Sequence, residues 1–102
     1  MEASSRTGRH IKFTVRGRTV AYYLDDHHGD GMKALNCKAP PGMRDTIVAS
    51  DKERFFVPPY LGARGWIGLR LDLEYLDWRE VTQFVTDSYR LVAPKTLVRK
   101  LG

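Results

Sequence analysis

A chain of 102 residues can build one hydrophobic core but not two. Its 42% hydrophobic content, with eleven aromatics, buries enough apolar surface to offset chain entropy, which excludes global disorder. No apolar run approaches the ~20 residues that span a bilayer, and residues 1–10 lack the apolar stretch of a secretory signal. A cytoplasmic protein with no membrane partner is expected, and the lone Cys37 agrees with a reducing compartment. The formal net charge is +5. Arg6, Arg9, Lys12, Arg16 and Arg18 crowd the first segment, and Lys95, Arg99 and Lys100 the last, around a slightly acidic middle. If the two ends meet in space, they form a patch that attracts phosphate backbones.

Residues 1–9 carry no periodicity and are expected to be disordered, leaving residues 10–102 as a single domain. Ile11, Phe13 and Val15 alternate with Lys12, Thr14 and Arg16, the pattern of a half-buried strand. Arg16-Gly17-Arg18 is a tight connection to a second strand, whose inner face is read as Val20, Tyr22 and Leu24. Residues 25–31 form a loop rich in Asp and Gly. A third strand follows over residues 32–38, and Pro40-Pro41-Gly42 breaks it. Pro41 suits the first turn of a short helix over residues 42–50. Residues 55–57 are extended, and Pro58-Pro59 confines them to an edge or loop. Residues 66–73 alternate cleanly, with Ile67, Leu69, Leu71 and Leu73 on one face. Asp77 is placed as an N-cap, with Glu80 completing a capping box. The helix it opens buries Val81, Phe84, Val85, Ser88 and Val92. Trp78 is expected to pack that helix onto the sheet, and residues 95–101 can form a last short helix.

The candidate sites carry little chemistry. Asp25-Asp26-His27-His28-Gly29-Asp30 is the densest polar cluster, and His27 and His28 are weak metal candidates. A closed zinc site draws ligands from two segments, and the only soft partner elsewhere is Cys37, so a solvated loop tip and no metal is expected. Cys37, Ser50 and Ser88 are possible nucleophiles, but none stands in a Gly-x-Ser-x-Gly elbow or a recognisable histidine motif. Gly62-x-x-Gly65-x-x-Gly68 precedes a strand instead of following one, so it is no dinucleotide loop. Neither an enzyme nor a cofactor is expected. Lys12, Arg16, Tyr23, Trp66 and Arg70 are read onto the sheet face opposite the Ile67 stripe, where a basic-aromatic surface can stack bases and neutralise phosphates. The competing reading buries the aromatics of that face in a second core.

Four motifs carry a resemblance. They are Phe13-Thr14-Val15-Arg16-Gly17-Arg18, Ala34-Leu35-Asn36-Cys37-Lys38, the run Phe55-Phe56-Val57-Pro58-Pro59-Tyr60 with Gly65-Trp66-Ile67, and Ser88-Tyr89-Arg90-Leu91-Val92-Ala93-Pro94-Lys95. Together they resemble the MmcQ/YjbR family of small bacterial proteins over most of the chain. The resemblance implies an α+β fold with a single antiparallel β-sheet of four to five strands and two to three helices packed on one face. It also implies a double-wing arrangement in which hairpins flank DNA. The Arg16-Gly17-Arg18 turn is then one wing; the loop over residues 25–31 is a poor second, because its aspartates repel phosphate.

The expectation is therefore a non-enzymatic DNA-binding domain. Lys12, Arg16, Arg18, Arg64 and Arg70 contact phosphates, and Tyr60 and Trp66 wedge or stack. The alternative is a small-ligand or protein-interaction module with a pocket at the Pro58–Gly68 loop, Tyr60, Trp66 and Tyr89. Members of the resembled family carry a helix before the first strand, where this chain has about ten polar residues. That departure leads to the expectation of exposed sheet surface covered by a second copy in a homo-oligomer.

Overall fold

The computed structural model describes residues 1–4, 10–25, 32–59 and 61–99. In chain order the elements are β1 (Glu2–Ser4), β2 (Ile11–Val15), β3 (Arg18–Asp25), β4 (Lys33–Lys38), α1 (Arg44–Ser50), β5 (Phe55–Phe56), β6 (Trp66–Arg70), α2 (Trp78–Val92) and α3 (Lys95–Arg99). A single 3-10 turn, Gly62–Arg64, precedes β6. The strands make one antiparallel sheet in the order β1-β2-β3-β4-β6-β5, and the fold is α+β.

The sheet has six strands, not the four to five expected. The two edge strands are short, and β1 is the one beyond the expected number. Glu2–Ser4, expected to be disordered, pairs with β2 through Glu2↔Thr14 and Ser4↔Lys12; residues 5–9 lie outside the described residues. Phe55–Phe56 pairs with β6, and Pro58 follows it, as an edge strand allows. Edges are held by backbone hydrogen bonds to one neighbour, so alternation of side chains need not announce them.

Register fixes two faces. The inner face carries the rows Ala21-Cys37-Ile67 and Tyr23-Leu35-Leu69-Phe55. Val81 and Val92 of α2 are buried against it, and Phe84, Val85, Ile47, Val48 and Leu97 pack beside them, so all three helices share this face. Phe55 meets Phe84 edge-on, with ring centroids 5.5 Å apart.

The sheet corrects the reading of the second strand. Pairing shifts by one residue between Phe13↔Ala21 and Thr14↔Thr19, which leaves Val20 as an extra residue. Val20 and Ala21 are both fully buried, and the alternation beyond them is inverted. Tyr23 therefore joins the core, and Tyr22 takes the outer face instead.

Helix α2 begins where expected. The Asp77 carboxylate accepts from the N–H groups of Arg79 and Glu80 at 2.9 and 3.4 Å. Glu80 does not return to the cap; it pairs with Arg54, whose guanidinium also lies 4.7 Å over the Phe55 ring. Trp78 does not pack α2 onto the sheet either; it is 63% exposed. The strand at residues 66–73 ends at Arg70, and the first helix starts only at Arg44, after the turn at Pro41-Gly42.

Near its other end α2 is fastened by Ser88. This fully buried hydroxyl donates to the Val20 carbonyl at 2.7 Å and accepts the Lys38 N–H at 2.9 Å. Those two groups sit one step beyond the last β3–β4 pair, Ala21↔Cys37. The helix thus supplies the link that the ladder lacks, and only a small side chain lets it come so close.

Candidate nucleic-acid interface

Antiparallel pairing sorts the charges by sheet end. The close of β2, the start of β3, the close of β4 and the start of β6 share one end, which carries Arg16, Arg18, Lys38 and Arg64. Helix α2 runs to the same end, because Ser88 touches Val20 and Lys38; Arg90 and Lys95 lie there as well. The opposite end carries Asp25, Asp72, Glu74, Asp77 and Glu80. Arg16 and Arg18 of the first basic segment and Lys95 of the last therefore share one end of the sheet.

The β2–β3 turn presents its charge on a constrained backbone. Val15 pairs with Arg18, which leaves Arg16 and Gly17 as the two turn residues. Both have positive φ, 50° and 77°, as a type I′ hairpin requires. Gly17 accepts this readily, whereas Arg16 is the only described non-glycine residue with positive φ. Asn would suit the position better; the chain holds a cation at the tip instead.

The outer face carries Lys12, Tyr22, Asn36, Lys38, Trp66, Gly68, Phe56 and Arg70. Tyr22 and Trp66 close over β4 with ring centroids 5.9 Å apart. The Phe56 ring lies across Gly68, where an added Cβ would overlap it. Between these rings is Asn36, 3% exposed, whose Oδ1 has no hydrogen-bond partner. Such an orphan costs about 1–3 kcal/mol, and native structures keep few of them.

The expected site residues divide. Lys12, Arg16, Arg18 and Arg64 are exposed; the last three share the basic end, and Lys12 stands on the outer face opposite Tyr22. Arg70 is on the outer face but at the acidic end, where its guanidinium bonds both Asp72 oxygens at 3.2 Å. That hydrogen bonding holds the Asp72 carboxyl below its ordinary pKa. Trp66 is only 7% exposed. Tyr89 packs on the inner core, so it and Trp66 lie on opposite sides of the sheet and cannot line one pocket. Tyr60, His27 and His28 lie outside the described residues. Cys37 is fully buried, and burial, with Asp87 nearby, pushes its thiol up to about 12. At neutral pH it is protonated packing.

Two cavities flank the start of α2. One of about 460 Å³ lies at the acidic end among Arg54, Phe55, Arg70, Tyr75 and Glu80. The other, about 270 Å³, is an apolar groove lined by Met1, Phe13, Tyr23, Leu71, Trp78 and Val85.

Sequence reasoning passed over Tyr22, Asn36 and Lys38 as site residues. For Asn36 a signal existed: asparagine is depleted in strands, yet it stands here between Leu35 and Cys37 in mid-strand. For Tyr22 none did, because the one-residue shift that turns it outward leaves no mark in the alternation. No described helix is long and apolar enough to cross a membrane. The family described as YjbR matches residues 2–91 of the chain. No curated protein and no solved structure matches it.

Proposed function

The chain belongs to the YjbR family, and from that premise we propose that it is a cytoplasmic, non-enzymatic DNA-binding domain. The observation that carries this reading is the gathering of Arg16, Arg18, Lys38, Arg64, Arg90 and Lys95 at one end of the sheet, with Asp25, Asp72, Glu74, Asp77 and Glu80 at the other. A two-ended charge distribution orients the molecule as it approaches a polyanion. Arg16 at the hairpin tip and Arg18 beside it enter a groove; Lys12 and Lys38 extend the track onto the outer face.

The test is a titration with a short duplex at about 50 and about 200 mM salt. Each phosphate contact contributes a slope of about −0.9, so about five contacts weaken binding roughly 500-fold over that range. Affinity that does not change with salt would exclude the reading. A second reading, a small-ligand module, is favoured by the cavity at the acidic end, whose volume lies in the range of about 300–1,000 Å³ typical of ligand sites. An uncharged ligand would bind there with little dependence on salt.

The expected apolar surface is present as the groove beside Met1 and Trp78. It borders β1, which pairs only with β2 and forms an edge of the sheet. A second copy that pairs along this edge would cover both. Sedimentation equilibrium at high micromolar concentration should then show a dimer, and a clean monomer would exclude this assembly.

A further inference from the structure

The orphaned oxygen of Asn36 has a setting that specifies its partner. Asn36 occupies the middle of the outer face, paired with Tyr22 on one side and Gly68 on the other, with Phe56 beyond Gly68. Its Oδ1 is an acceptor, so the partner must bring an N–H or O–H. A phosphate or carboxylate, itself an acceptor, is repelled. The surrounding groups are ring faces and edges, the tilted Tyr22–Trp66 pair and the Phe56 ring. They accept a planar group and exclude a bulky one. Cations complete the setting: Lys38 lies two residues along the same strand on the same face, and Lys12 stands opposite Tyr22.

A planar ring with an N–H edge, joined to phosphates, is a nucleobase. We propose that this face takes an unpaired base of a single-stranded nucleic acid, with an N–H of the base's pairing edge on Asn36 and its phosphates on Lys12 and Lys38. The proposal rests on the nucleic-acid reading above and narrows it to locally unpaired strands. A base within a duplex cannot lay its ring against the sheet. The carboxamide offers an acceptor beside a donor, which matches the amino group and ring nitrogen of adenine or cytosine. Thymine matches it as well, through its ring N–H and a flanking carbonyl, so Asn36 distinguishes an unpaired base edge from a paired one and does not distinguish the bases. Entry requires the Phe56 ring to turn off Gly68. That ring is half-exposed on a two-residue edge strand, and Gly68 has no side chain to fill the space it vacates.

The experiment is fluorescence anisotropy on the full chain with end-labelled oligo(dA), oligo(dT) and a duplex of the same length. About twelve nucleotides suits the size of such sites, at about 100 mM salt so that phosphate contacts persist. The expected result is oligo(dA) and oligo(dT) each bound about tenfold or more tighter than the duplex. Asn36→Leu should remove that preference while leaving the salt-dependent binding in place. Equal affinities for all three probes overturn the proposal and leave general DNA binding intact. No binding of any probe overturns both. A preference for the single strands that survives in Asn36→Leu also overturns it. If the variant does not fold, the wild-type ratio of single strand to duplex decides alone, because a phosphate-only surface favours the duplex with its higher charge density.

Discussion

Ser88 shows how one hydroxyl can hold a helix to a sheet. It satisfies both the Val20 carbonyl and the Lys38 N–H, two backbone groups that the β3–β4 ladder leaves open. Ser88→Ala removes both partners at a fully buried position. The expected loss is on the order of 2–3 kcal/mol in urea unfolding. Cys37 gives a pH signature. The unfolded thiol ionises near its ordinary value of 9.0, while the buried one stays protonated to about 12. Above pH 9 the unfolded chain therefore binds fewer protons than the folded one, and stability falls as pH rises through this window. The slope approaches about 1.4 kcal/mol per pH unit. Subtracting the curve of a Cys37→Ala variant from that of the wild type should isolate it, and identical curves would show that the thiol is not the source. Both residues were legible as buried positions. Ser88's double bond was not, because its partners lie 68 and 50 residues away.

Among the elements, the β2–β3 hairpin and α2 carry the clearest consequences. Arg16 holds positive φ at the turn, a conformation that costs most side chains about 1–2 kcal/mol and asparagine less. Arg16→Asn should therefore raise the melting temperature while weakening nucleic-acid binding. A variant that gains stability and keeps full affinity would remove the hairpin tip from the interface. Asp77→Ala should cost about 1 kcal/mol through the lost cap, measured by thermal unfolding. The cap was readable because its geometry is local. The β3 bulge was not: a run of Val20-Ala21-Tyr22-Tyr23 is apolar at every position, so it fits either phase of the alternation. Only pairing with β2 and β4 chose the phase, and that choice put Tyr22, not Tyr23, beside Trp66.

For the whole molecule, the separation of charge is the functional statement. Arg16→Glu with Arg18→Glu reverses two exposed positions and should change stability by no more than about 0.5 kcal/mol. Their removal should flatten the salt dependence of DNA binding by about two contacts' worth of slope. An unchanged slope would move the contact surface elsewhere. Arg70→Gln makes the opposite prediction. Its guanidinium is already engaged by Asp72 at the acidic end, so the variant should bind DNA with nearly wild-type affinity and salt slope, although strand alternation grouped it with the other cations on the outer face.

By itself the sequence determined the class of fold, the order of most elements, the cap at Asp77, the edge character of the Phe55 segment and the family, because each depends on short-range pattern or on contiguous motifs. Tertiary structure decided the rest. Antiparallel pairing brought the hairpin, the close of β4 and the end of α2 to one basic end, and set Trp66 and Tyr89 on opposite faces. It also enclosed Asn36 among three aromatic rings without answering its carbonyl. These arrangements come from register and from contacts between residues distant in the chain, where hydrogen-bond partners and face assignments are settled by neighbouring strands and not by adjacent residues.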